Sequence, residues 1–302
     1  VYARKLAIFS DNSANPETLP VIALKEIDRV RELMLELASA WWDEEEREGD
    51  KPQGVALLDA ALAAMEEDRE DNRQDFLSVF KAETDASVEF VVKSDFATVP
   101  ANRSVIFDLM PPHLPRARIG GVFPPGPFDP DAKTLLYLPS IPDEEPEDAK
   151  EGFYRSFNNH FNRMIIAHEI FPGHAMQFIV GLSHASVVRG VFANPYYAEG
   201  WASFSEILML EAGWGDGNKL TRLAHLRKRL ENATRAYISV MVHVQRRNNH
   251  KHDHHHLADG HGRHRQQGSG VVEYLAQRPG FGLWRRQGLI PFGGCLSFLG
   301  GC

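Results

Sequence analysis

The chain has 302 residues and a mass of 34.0 kDa, enough for one large domain or two small ones. A composition of 43% apolar and 25% charged residues is that of a globular protein and excludes collagen and wholesale disorder. The net charge of −8 is uneven: residues 246–302 carry eight Lys or Arg against three acids, so the acid surplus sits in residues 1–245. An acidic body does not track a phosphate backbone, and no nucleic-acid partner is expected.

No run approaches the roughly 18 apolar residues of a membrane span, so no transmembrane segment is expected, and the first residues lack the apolar core of a signal peptide. The sequence begins without Met and reads as a fragment or processed product, which leaves cytoplasmic and exported locations both open. Cys295 and Cys302 are confined to the last eight residues, where they neither staple a core nor form a thiolate metal site.

Residues 24–42 place Ile27, Val30, Met34, Leu37 and Trp41 at steps of three and four, which predicts a helix with one apolar face. Acidic, Gly and Pro punctuation over residues 43–52 ends it, and residues 55–67 and 73–81 read as two more helices. From residue 87 to residue 142 the texture changes. Short β-branched or aromatic runs at 88–92, 104–109 and 134–138 alternate with Pro- and Gly-rich stretches, which predicts a strand-and-loop insert. The run 133–138 is expected to be an exposed edge strand beside a cleft, where an extended peptide could pair.

Helical spacing returns with Phe153, Phe157, Phe161 and Met164, on a face that continues to His168. Residues 220–244 predict a further long helix through Leu223, Leu230, Ala233, Tyr237, Val240 and Val244. Beyond it, seven of the fourteen histidines fall between His250 and His264, followed by a Gly-rich stretch. The predicted organisation is a helical domain over 1–245 and a His/Arg/Gly-rich, poorly structured or aberrant segment over 246–302.

The chemistry is concentrated in AlaHisGluIlePheProGlyHisAlaMetGln, residues 167–177, and TyrTyrAlaGluGlyTrpAla, residues 196–202. His168 beside Glu169 resembles the start of a zinc hydrolase site, in which two imidazoles hold the metal and the adjacent Glu takes a proton from water. Histidines four apart share a helix face, but His168 and His174 are six apart and would diverge by about 240° on an unbroken helix. Pro172 removes an amide donor and Gly173 permits positive φ, so the pair is expected to break the helix and swing His174 back beside His168. Glu199 is the best candidate for a third ligand. Glu206, seven residues later on the same face, is expected to orient a ligand imidazole, or to ligate in place of Glu199. His243 and Tyr237 are candidates to steady the oxyanion of a tetrahedral intermediate, although Tyr237 also lies on the apolar stripe; His160, and His113 and His184 in loop-like contexts, read as core or surface residues rather than ligands.

These two segments resemble the signature of the bacterial domain of unknown function 885 proteins, which pair HisGluXaaXaaProGlyHis with a downstream GluGlyTrp. The resemblance runs from about residue 20 to residue 245. It implies a mainly α, multi-helix fold related to the zincins whose third ligand is glutamate, and a zinc hydrolase activity. The chain departs from the family's pattern at Ala175, where a second His is common, at Ser239, where Asp is frequent, and at Phe281, where Gln is usual. Members are commonly longer on the N-terminal side.

Together these readings predict a zinc-dependent hydrolase acting on peptides, with His168, His174 and Glu199 on the metal and Glu169 as general base. The alternatives are a non-catalytic helical scaffold with a vestigial motif, and a hydrolase of non-peptide amides or esters.

Overall fold

The structure is a computed structural model and describes residues 1–245 apart from 12, 46, 102–103, 112–119, 127, 130–132, 185–187, 189–190 and 193. The readings of residues 246–302, of Cys295 and Cys302, and of His113 lie outside the described residues. Among the described residues the fold is mainly α with one small sheet. No helix among the described residues is long and apolar enough to cross a membrane. The chain divides into two compact units, one of Val1–Ala61 with the chain from Leu226, the other of Leu62–His225.

In the first unit, α1 (Tyr2–Phe9) precedes α2 (Leu19–Glu44), which buries Ala23, Ile27, Val30, Met34, Ala38 and Trp41 at helical spacing. This is the expected stripe with Ala38 replacing Leu37, and the helix is longer at both ends than the spacing marked. It stops where Trp41 Nε1 donates to Glu45 and the Arg47 guanidinium lies 4.1 Å above the Trp41 ring. Helix α3 (Val55–Glu67) has the expected bounds.

In the second unit, α4 (Arg73–Ser94) opens on Asn72, whose side chain accepts from the Asp75 amide. It runs through residues 88–92, read from the sequence as a strand. Val91 there continues a buried helical face of Phe76, Phe80, Thr84 and Ser87, while Val92 is exposed, so packing overrides local strand propensity. Strands β1 (Val105–Leu109), β2 (Gly121–Phe123) and β3 (Thr134–Leu138) form a sheet in the order β1-β3-β2. Here β3 pairs parallel to β1 and antiparallel to β2, which makes it the central strand. The expectation of an exposed edge at 133–138 is therefore corrected: both sides of β3 are hydrogen-bonded, and Thr134, Leu136 and Leu138 are buried.

The stripe expected to run unbroken from Phe153 to His168 is two helices, α5 (Glu147–Ser156) and α6 (Asn159–Glu169). Asn158 makes the break: its side chain accepts from the Phe161 amide and donates to the Arg155 carbonyl, which lets it close one helix and cap the next. The rings of Phe153, Phe157 and Phe161 still meet in series across the break, tilted and then edge to face, at centroid distances of 4.9 and 6.0 Å. Then follow α7 (His174–His184), α8 (Pro195–Glu211) and α9 (Lys219–Val240), the last closed by a π-helical turn at Met241–Gln245.

Two apolar clusters hold the elements that matter for the site. One joins Phe76, Leu136, Leu138, Ile166, Ile170 and Phe171, tying α4, the sheet, α6 and the segment after it. The other joins Val91, Ala167, Met209 and Trp214, tying α4 and α6 to α8 and the turn that follows it. Trp214 Nε1 also donates to the Arg163 carbonyl, and Arg163 pairs with Glu83 of α4 at 2.9 Å. The middle of α6 is thus fixed on two sides before any functional residue is placed.

Candidate metal centre

The six-residue spacing of the histidines is bridged by an irregular turn. Helix α6 ends at Glu169 and α7 starts at His174, with Ile170 and Phe171 buried in the core between them. Gly173 is required there, but not for positive φ as the sequence reading supposed. A Cβ on Gly173 would lie 1.8 Å from the His168 carbonyl oxygen, so its backbone rests directly against the residue it must meet. Trp201 Nε1 donates to the Pro172 carbonyl at 2.9 Å and pins the turn to α8. The Met176 amide donates to the Ile170 carbonyl, closing the turn from the other side.

The result is a convergence of three side chains. The rings of His168 and His174 are 4.9 Å apart between centroids and nearly perpendicular at 87°. His168 Nε2 lies 3.5 Å from one oxygen of Glu199, and His174 Nε2 lies 3.8 Å from the other. Candidate ligand atoms of the three residues all fall within 4.8 Å of one another. Asn194 caps α8 by accepting from the Tyr197 amide, which sets Glu199 in the second turn, and the Glu199 side chain is 56% exposed while His168 and His174 are 13% and 8%. The donor set is two imidazoles deep in the unit and a carboxylate at its surface.

Behind His168 stands Glu206, two turns along α8 from Glu199 and 6% exposed. His168 Nδ1 donates to its Oε1 at 2.6 Å, which leaves Nε2 turned towards Glu199. The other oxygen of Glu206 accepts from Nδ1 of His225 on α9 at 2.8 Å. Sequence reasoning did not single out His225. The signal was a histidine four residues after Thr221 among Leu220, Leu223 and Ala224, a polar ring on a buried face that needs a partner. His160, read as core or surface, is buried between Thr221 Oγ1, 2.9 Å from Nδ1, and Asp68, 3.2 Å from Nε2.

The electrostatics follow from this crowding. Burial works to lower the His168 pKa, but its hydrogen bonds with Glu199 and Glu206 and the charge of Glu169 outweigh it and raise it to about 10. Burial also opposes the charge of Glu206, yet the bonds from His168 and His225 hold its carboxyl down at about 2. His174 is shifted the other way, lowered by burial and then by its neighbour His168 against the pull of Glu169 and Glu199. The half-buried Glu169 therefore acts electrostatically on both imidazoles. Carboxylates surround the ring pair, so positive charge is stabilised there, as a proton or as a cation.

A zinc ion fits these residues. Ligand bonds of about 2.0–2.1 Å in a tetrahedron put neighbouring donors roughly 3.3–3.4 Å apart, close to the two imidazole–Glu199 separations. Two imidazoles and a carboxylate form a known hydrolytic donor set, and a carboxylate on the far nitrogen of one imidazole is its usual support.

The other sequence candidates belong to the first unit. Tyr237 is buried in a small cluster with Ala23, and the exposed His243 stacks on Tyr2 at 5.0 Å between centroids. Ser239 lies 3.1 Å from the Tyr2 hydroxyl.

The chain belongs to the DUF885 family, bacterial proteins of unknown function, whose sequence profile matches residues 1–279. No curated protein matches it. Its fold is similar to that of a "putative lipoprotein of unknown function" from Shewanella oneidensis, with a TM-score of 0.70 and 22% identity, over 81% of this chain and 43% of that one. A "putative lipoprotein" from Colwellia psychrerythraea is similar at a TM-score of 0.66 and 18% identity, over 92% of this chain and 42% of that one. The chain thus spans less than half the length of either structure.

Proposed function

We propose that the chain is a zinc-dependent hydrolase of peptide or related amide bonds, of the zincin-like type with a glutamate ligand. The observation that carries this reading is the convergence of His168, His174 and Glu199, with Glu206 bonded to the far side of His168. Those first three residues would hold the metal. Bound zinc supplies a Lewis acid that polarises a carbonyl and makes water acidic enough to ionise near neutral pH.

The protein's own groups do the rest. Glu206 fixes the His168 tautomer by accepting a hydrogen bond from its Nδ1–H, which frees Nε2 as a lone-pair donor. Glu169, next to His168 in sequence and half-buried, accepts a proton from the attacking water and returns it to the leaving amine. Glu199 leaves the solvent side of the site open to a substrate, since more than half of its side chain is exposed.

The test measures zinc content beside turnover of a mixed peptide library, with Glu169→Gln as control. Stoichiometric zinc in both forms, with activity only in the unmodified one, supports the enzyme. Absence of zinc after growth in zinc-replete medium rejects it. Zinc retained with no turnover of peptides, amides or esters favours a scaffold with a vestigial motif.

A further inference from the structure

The carboxylate of Glu206 joins two helices that sequence places far apart in role. One oxygen accepts a hydrogen bond from Nδ1 of His168 on α6, the other from Nδ1 of His225 on α9. A carboxylate accepts only, so both contacts require the proton to sit on Nδ1 of each ring. The terminal torsion of a glutamate is broad and set by its surroundings. With a single partner Glu206 could rotate about it, whereas with both oxygens engaged its plane is fixed, and with it the direction in which His168 presents Nε2. His225 is itself buried, and α9 is anchored one turn earlier, where Thr221 meets His160 of α6. The two helices are therefore tied at His160 and again through Glu206, with the His168 ring at the second tie.

We infer that His225 is a positioning residue of the metal centre, acting through Glu206 to hold the His168 imidazole in its ligating tautomer and orientation. The inference rests on the zinc reading above and adds a residue outside the motif that confers it. Partners that hold a metal-binding imidazole typically change metal affinity by 10- to 100-fold when removed, and a residue one bond further out falls at the lower end.

The experiment uses the full chain. Zinc affinity is measured by competition with a chromophoric chelator for the unmodified protein, His225→Leu and His225→Asn, alongside thermal melting. Long-range ¹H–¹⁵N NMR of the imidazoles reads the tautomers of His168 and His225 in the zinc-loaded protein, where a ligating imidazole is neutral. The leucine variant should bind zinc about tenfold more weakly and lose the single Nδ1–H tautomer of His168. Asparagine, which keeps an N–H near the position of Nδ1, should restore both. Equal affinities in all three proteins, or equal losses in the leucine and asparagine variants, overturn the inference while leaving the zinc reading intact. An unmodified protein that binds no zinc overturns the zinc reading instead. Should the leucine variant not fold, the unmodified protein still decides: a proton on Nε2 of His225 rather than Nδ1 contradicts the arrangement.

Discussion

Glu26 in the first unit and Glu206 in the second are both held at a pKa of about 2, and they reach it by opposite routes. Glu26 accepts hydrogen bonds from Arg29, Nε and Nη2 each at 2.9 Å, and from Arg229, with a quarter of its side chain exposed and Arg29 half exposed. Glu206 has almost no water and two imidazoles. Equal acidity does not mean equal energetic weight. An ion pair in contact with solvent is screened and contributes little, whereas a desolvated carboxylate cannot be removed without leaving two buried donors unmatched. The first arrangement decorates a surface, and the second holds a ring in place.

The largest loss is expected at Gly173, whose backbone rests against the His168 carbonyl. Alanine there would place its Cβ 1.8 Å from backbone, a clash no side-chain movement relieves. We expect a loss above ~4 kcal/mol in urea denaturation and loss of zinc binding. Next comes Glu206→Ala, expected to cost about 3–5 kcal/mol because both imidazoles lose their acceptor. Trp201→Phe removes the hydrogen bond to Pro172, about 1 kcal/mol, together with part of the ring, and should loosen the turn enough to weaken zinc binding measurably. Smallest is Glu26→Gln, less than ~1 kcal/mol at neutral pH.

Acid titration sharpens the contrast. Both carboxyls are depressed on folding, so each contributes stability that is complete above the model-peptide value of 4.5 and lost as pH falls towards 2. In 1 M salt the Glu26 part of that slope should vanish while the Glu206 part persists, since the Debye length is then about 3 Å but buried pairs are poorly screened. A slope in Glu26→Gln that matches the unmodified protein at low salt would show that Glu26 contributes nothing.

How much of this was legible in the sequence depended on the range of the interaction. Helix α3 and the buried stripe of α2 were readable because periodicity is local. Residues 88–92 misled because a β-branched run carries the same local signal whether it ends in a strand or continues a helix whose face began at Phe76. The break near Pro172 was foreseeable from composition, but the reason for Gly173 was not, since the close carbonyl belongs to a residue five positions back and is reached only once the turn has folded. Glu206 could be placed from its seven-residue step after Glu199. His225 could not, because its only role runs through a side chain on another helix.

The order β1-β3-β2 also sets a sequence of events during synthesis. The first two strands to leave the ribosome pair with the third and not with each other, so neither has its ladder until residue 138 has emerged. Until then, the amides of residues 105–109 and 121–123 must be satisfied by water or by chance partners. Leu136 and Leu138 arrive with the same strand that completes the hydrogen bonds, and they are also the side chains that join the sheet to α6 and to the segment leading to His174. Sheet closure thus waits for residue 138, and the histidine turn, synthesised later still, packs onto a sheet whose last strand has already emerged.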